Sequence, residues 1–242
     1  RQALKEAGTV GESSVRYFID GLLQKGRLID YIENFIMFRN QKNKIIAKNH
    51  QYFGVNNLME SVKNRAELQG KLGVFWHTQG SGKSFSMVFF VRKVRRKISG
   101  NFTFLIITDR EDLDDQIHKN FVKTEVIGQK EECQPKNGKQ LRDYLQTNKS
   151  FIFTLIHKFR YDKGKKYPVL STRDDIIVLV DEAHRTQYKD LAENMRTALP
   201  NANYIAFTGT PLLGSKRLTN QWFGNYVSEY NFAQSVEDGS TV

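Results

Sequence analysis

From Gly73 onward, short apolar runs alternate with helical patterns. The runs are Gly73 to Trp76, Phe102 to Ile107, Phe151 to Leu155, Ile176 to Val180 and Tyr204 to Phe207. Each is rich in Val, Ile and Phe with almost no polar alternation, as in strands covered on both faces. Between them, Met87, Val88, Val91, Val94 and Ile98 mark one helix and Leu113, Ile117 and Phe121 a second. Leu141 with Leu145, and Leu191 with Met195, mark two more. Strand and helix in repeated succession predict an α/β domain of three layers on a mainly parallel sheet, with right-handed crossovers. Ahead of it, residues 1 to about 40 read as helical, with Leu28, Ile29, Ile32, Phe35 and Ile36 at the spacing of a buried helix face. A further amphipathic segment runs from Asn57 to about Gln69, with Asn56 or Asn57 as its cap. Gly128 to Gln140 and Tyr161 to Asp175 are polar and turn-rich, and read as exposed loops.

Two functional classes drop out on composition. No stretch approaches the roughly 18 apolar residues of a membrane span. Cys133 is the sole cysteine, which excludes an internal disulfide and a cysteine-built zinc site and fits a reducing cytoplasm. The opening residues RQALKEAGTV have neither an apolar signal core nor an initiating Met, so the chain reads as a piece of something longer. The net charge of +11 leans toward an anionic partner. The basic run Arg92-Lys93 and Arg95-Arg96-Lys97 is read as a solvated helix face.

The strongest local chemistry is His77-Thr78-Gln79-Gly80-Ser81-Gly82-Lys83-Ser84, between an apolar strand and a helix. Gly80 and Gly82 permit backbone conformations that aim successive N–H groups at phosphate oxygens. The helix start adds positive potential. Lys83 would reach the β- and γ-phosphates, and the Ser84 hydroxyl would ligate Mg²⁺. His77 stands where the first glycine of GxxxxGK(S/T) is usual, and has no chemistry assigned. The run Ile176 to Val180 delivers Asp181-Glu182-Ala183-His184 at a strand's C-terminal end, the edge where α/β sheets bind ligands. There Asp181 would hold the Mg²⁺, Glu182 would orient and deprotonate a water, and His184 would sense the γ-phosphate.

These two segments resemble motifs I and II of superfamily 2 helicases and translocases. Their wording, HTQGSGKS with DEAHRTQ, is similar to the R subunit of type I restriction enzymes. Further segments resemble that family's motifs in order: Thr108-Asp109-Arg110 with Leu113 and Gln116, Thr154 with His157-Lys158-Phe159, and Phe207-Thr208-Gly209-Thr210-Pro211. Gln51 sits where an adenine-reading glutamine would lie. The resemblance implies that residues 41–242 are the first of two RecA-like motor domains and that 1–40 are a helical linker following a nuclease domain. No nuclease site is legible in residues 1–40, and the second motor domain would lie past Val242. It also implies Mg·ATP, double-stranded DNA, and methylation and specificity subunits as partners. Thr208, Gly209 and Thr210 would couple hydrolysis to movement, and Arg110 and Lys158 would touch DNA phosphates. The chain by itself would hydrolyse ATP weakly or not at all. The rival readings are another superfamily 2 motor and a non-hydrolysing nucleotide-dependent scaffold. The Thr-Gly-Thr-Pro wording argues against an RNA helicase, and retention of both Lys83 and Glu182 argues against a scaffold.

Overall fold

The computed structural model describes residue 21 and residues 23–161, 165–182, 189–210 and 222–238. His184, Pro211 and the first 20 residues lie outside these. Six strands form one parallel sheet: β3 (Lys71–His77), β4 (Thr103–Thr108), β5 (Phe151–Leu155), β6 (Ile176–Asp181), β7 (Asn203–Thr208) and β8 (Tyr226–Tyr230), in the order β5-β4-β6-β7-β3-β8. A separate antiparallel hairpin pairs β1 (Ile36–Arg39) with β2 (Asn43–Ile46). The described helices are α1 (Lys25–Asn34), α2 (Asn49–Lys63), α3 (Lys83–Lys97), α4 (Glu111–Lys123), α5 (Gly138–Gln146), α6 (Lys189–Ala198) and α7 (Phe232–Glu237), with a short 3-10 turn at Ile156–Phe159. None of them is long and apolar enough to cross a membrane.

The uninterrupted apolar strands are explained by the two cores. In β6, Ile177 and Leu179 face a core built with α2, α3 and α4. The alternate residues Ile176, Val178 and Val180 face a second core with α5 and α6. Every residue of β4, β5, β6 and β7 is buried. A strand covered on both sides keeps its period of two while losing the polar alternation that would reveal it.

The lead-in departs from the helical reading. The helix ends at Asn34, and residues 36–39 are a strand. Asn40 and Gln41, both at positive φ, turn the chain into β2. Ile29 and Ile32 are exposed, so the apolar spacing is not the buried face. Instead Tyr31 and Phe35 pack on Tyr52, Phe35 packs on Phe89, and the Tyr31 hydroxyl donates to Ala47 O. The next helix starts at Asn49, not near Asn57. Its N-cap is Lys48, and Asn56 and Asn57 lie mid-helix.

The basic run is a solvated face only at Arg95, Arg96 and Lys97, which are exposed. Lys93 is buried, with Nζ 2.5 Å from both Asp30 Oδ1 and Asn56 Oδ1 and 4.8 Å from the Phe35 ring centroid. Arg92 donates to Ile36 O, Arg96 to Glu33 O, and Lys97 pairs with Glu33 at 2.6 Å. Four of its five charges thus hold α1 and the hairpin against α3.

Two expected loops are partly inside. Cys133 is buried, and its carbonyl accepts from Phe153 N–H at 2.8 Å, closing the outer edge of β5. Tyr167 and Leu170 enter the second core.

Candidate nucleotide site

The sheet order brings the sequence motifs together. Strand β7 lies between β3 and β6, with Trp76 opposite Thr208 and Asp181 opposite Phe207. The loops leaving β3, β6 and β7 therefore share one edge, the C-terminal edge that receives ligands in parallel sheets.

The loop after β3 is shaped by Gly80 (φ 82°) and Gly82 (φ 86°), both left-handed. A Cβ at Gly82 would also meet Gln51 Nε2 at 2.9 Å. Gly82 is the N-cap of α3, so the N–H groups of that helix's first turn open into the loop. Lys83 Nζ folds back to His77 O at 3.2 Å and Thr78 O at 3.5 Å. Burial holds its ammonium below the usual lysine range, against the pull of Glu182 and Asp181. A cation pressed against carbonyls in a half-dry cleft gains most from an anion placed beside it.

Gly209 comes down on this group from β7. A Cβ there would stand 3.0 Å from Lys83 Nζ and 3.6 Å from both Gln79 N and Glu182 Oε1. Lys83, Glu182 and Gly209 thus surround one small volume. Glu182 sits at φ 50°, a conformation that costs a non-glycine residue about 1 kcal/mol or more and clusters at functional sites. The Thr208 hydroxyl lies 3.3 Å from Thr210 N and 3.1 Å from Thr210 O, so it fixes the turn that positions Gly209.

Asp181 is buried, and among the described residues its Oδ1 has no hydrogen-bond donor. Burial raises its pKa to about 7, with the Glu182 charge adding and Lys83 opposing. A buried carboxylate oxygen without a donor fits a hard divalent cation such as Mg²⁺. No set of three His, Cys, Asp or Glu side chains among the described residues is placed to hold a metal. Such a cation would therefore be shared with a substrate's phosphates.

A stability test follows from that carboxylate. The folded state holds a proton on Asp181 between the ordinary value of 3.8 and about 7, where the unfolded state does not. Stability from this group is therefore full below pH 4 and is lost as pH rises through 7. In the absence of nucleotide and divalent cation, Asp181→Asn is expected to raise Tm at pH 8 by about 5 °C and to change it little at pH 4. A thermal melt at the two pH values checks this, and an equal shift at both contradicts the assignment.

The remaining sequence candidates are placed as follows. His77 is fully buried, with Nε2 2.7 Å from Ser228 Oγ, and desolvation holds its pKa at about 2. A permanently neutral ring thus fills the position where a glycine is usual. Gln51 is buried in the first turn of α2. Its Oε1 accepts from Lys48 N–H, and its Nε2 donates to Gly82 O at 3.0 Å. Its amide is engaged on the phosphate loop rather than held open for a base. Arg110 is exposed and chelated by both Asp112 oxygens, and Lys158 donates to Pro135 O. Both lie at the ends of β4 and β5, on the same sheet edge as the loop but away from Lys83. The residue missed from sequence is His50, whose Nε2 lies 2.9 Å from Ser81 O. Nothing in its local pattern marks it.

Residues 50–242 match the model of the SWI2/SNF2 ATPase family. The chain belongs to that family. It is 37% identical over 260 residues to the type I restriction enzyme HindI endonuclease subunit of Haemophilus influenzae, covering 98% of this chain and 25% of the relative. This SWI2/SNF2 domain thus spans about a quarter of the length of such relatives. Its backbone resembles the UvsW helicase from bacteriophage T4, with a TM-score of 0.59 and 13% identity, over 88% of this chain and 75% of that one. It also resembles the type ISP restriction-modification enzyme LlaBIII bound to DNA, with a TM-score of 0.55 and 14% identity, over 94% of this chain and 18% of that one. The α/β fold expected from the strand–helix alternation, and RecA-like by the motif resemblance, is the fold of these neighbours.

Proposed function

We propose that this domain is the ATP-hydrolysing motor of a type I restriction enzyme R subunit, coupling ATP turnover to translocation of double-stranded DNA ahead of cleavage. The observation that carries the reading is the convergence of Lys83, Glu182 and Gly209 on one volume at the sheet's C-terminal edge. The relationship to a type I restriction endonuclease subunit supports the setting; the proposal includes methylation and specificity subunits as partners and a cytoplasmic location.

On this reading the N–H groups of the loop and of α3 receive the phosphates, and Lys83 leaves the His77 and Thr78 carbonyls to neutralise the β- and γ-oxygens. Ser84 and Asp181 would hold Mg²⁺, which would supply Lewis-acid charge neutralisation when bound. Glu182 orients a water and takes its proton. Gly209 leaves space beside Lys83, and the Thr208–Thr210 turn ties that space to β7, so occupancy of the phosphate site is felt along β7. His184 follows Glu182 by two residues, and in this proposal it relays the state of the γ-phosphate. Gln51 would exchange its bond to Gly82 O for the adenine edge when the nucleotide enters. Arg110 and Lys158 would meet DNA phosphates by giving up Asp112 and Pro135 O. A surface ion pair such as Arg110–Asp112 costs little to exchange.

The test is ATP turnover by the full-length protein with and without duplex DNA. Stimulation by duplex DNA, and a fall of about 10²–10³-fold in Lys83→Ala, are expected. Equal turnover with and without DNA contradicts a translocating motor.

A further inference from the structure

The first turn of α2 grips two successive carbonyls of the phosphate loop: His50 holds Ser81 O at 2.9 Å and Gln51 holds Gly82 O at 3.0 Å. A carbonyl has no proton to give, so His50 Nε2 is the donor. In a planar trans peptide the carbonyl and the following N–H point in opposite directions. Drawing Ser81 O toward α2 therefore turns the Gly82 N–H away from α2. The two carbonyls differ in what else fixes them. Gly82 O also accepts from Phe85 and Ser86 N–H at 3.0 and 3.1 Å, in the first turn of α3. Ser81 O lies outside that helical ladder, so its peptide plane depends on a group from elsewhere.

His50 is built to be that group. Its ring stacks on Tyr230, with centroids 3.8 Å apart and planes 15° apart, and meets His77 edge-on at 5.2 Å. Burial holds the imidazole below its ordinary range, so at neutral pH it carries one proton, placed on the nitrogen facing Ser81. Tyr230 also serves the loop: its carbonyl accepts from Thr78 N–H at 2.9 Å, and its hydroxyl donates to Asp238 at 3.1 Å. The base of the loop and its crown are therefore fastened to one point at the end of β8.

We propose that His50 is a positioning residue of the phosphate loop, holding the Ser81 carbonyl outward so that the Gly82 N–H is presented to a nucleotide's phosphates. This rests on the nucleotide-site reading above. It makes His50 indifferent to the base, since the imidazole acts on backbone.

The experiment is calorimetric titration of the full-length protein with non-hydrolysable Mg·ATP and Mg·GTP analogues, for wild type, Lys83→Ala, His50→Phe and His50→Gln. Binding by the wild type that Lys83→Ala abolishes establishes the nucleotide site by itself. His50→Phe keeps a ring against Tyr230 and loses the donor. It is expected to weaken both analogues about five-fold, the value of one hydrogen bond, with Tm within about 2 °C of wild type. His50→Gln restores a donor and is expected to bind within about two-fold of wild type. Wild-type affinity in His50→Phe, weakening of the ATP analogue alone, or no rescue by Gln overturns the role of His50 while leaving the site intact. Absence of wild-type binding overturns both. Should His50→Phe fail to fold, Tyr230→Leu removes the stacking partner and is expected to weaken both analogues about three-fold. Unchanged binding there overturns the proposal.

Discussion

Full-length protein carrying Glu182→Gln is expected to bind Mg·ATP and to turn it over about 10²–10⁴-fold more slowly than wild type. The amide keeps the shape of the carboxylate and its left-handed backbone position, but cannot take a proton from water. Binding survives because the phosphates are received by Lys83 and the N–H groups of the loop, which the substitution does not touch. It also removes one of the charges that raise the pKa of Asp181, so cation binding should not suffer. Rapid-quench measurement of a single turnover, beside an equilibrium binding titration, separates the two effects. Turnover within about tenfold of wild type would remove Glu182 from the role of general base. Loss of binding in proportion to turnover would make it a ligand-holding group instead.

Gly73→Ala is expected to cost about 3 kcal/mol of stability. Gly73 sits in β3 at φ 125°, a region L side chains rarely enter. It marks an irregularity in the register with β7. A Cβ there would overlap Val227 Cγ1 and come within 2.9 Å of Asn225 O. The missing side chain is what lets the start of β8 close on β3. β8 in turn carries Ser228 and Tyr230 to His77 and His50, so loss of this contact would loosen the phosphate loop from its outer side. Urea denaturation gives the stability. A change below about 0.5 kcal/mol would mean that β8 yields without cost.

The five strands β3 to β7 and the candidate nucleotide motifs were legible because each leaves a local signature. Residues such as Ile177 and Leu179 are apolar wherever they face, and Gly80, Gly82, Lys83, Asp181 and Glu182 lie in short segments with strict chemical demands. β8 was not legible. As an edge strand with Ser228 and Glu229 in its middle, it lacks the continuous apolar run of a covered strand. The β1–β2 hairpin was hidden by a coincidence of spacing. Phe35 and Ile36 extend the apparent helical rhythm of Leu28 and Ile32, but Phe35 is buried at the helix C-cap and Ile36 begins a strand.

The burial of Lys93 within the basic run was hidden for a different reason. Lys93 and Arg96 carry no local sign of the acid or carbonyl that will meet them, because Asp30 and Glu33 lie some sixty residues away in sequence. A charge on a helix is solvated by default, and only the tertiary fold assigns it a partner. The same holds for His50. Its partners Ser81 and Tyr230 lie 31 and 180 positions further along the chain, and no pattern in residues 48–52 announces them.

An ATP-driven motor in this domain requires the loop from His77 to Ser84 to be a phosphate site. Calorimetric titration of a non-hydrolysable Mg·ATP analogue into the full-length protein, wild type and Lys83→Ala in parallel, tests this. Saturable one-to-one binding by the wild type, abolished in Lys83→Ala, is the predicted result. Equal affinity in the two proteins would contradict a phosphate site here, because a phosphate seated on this loop cannot be indifferent to the lysine folded over it.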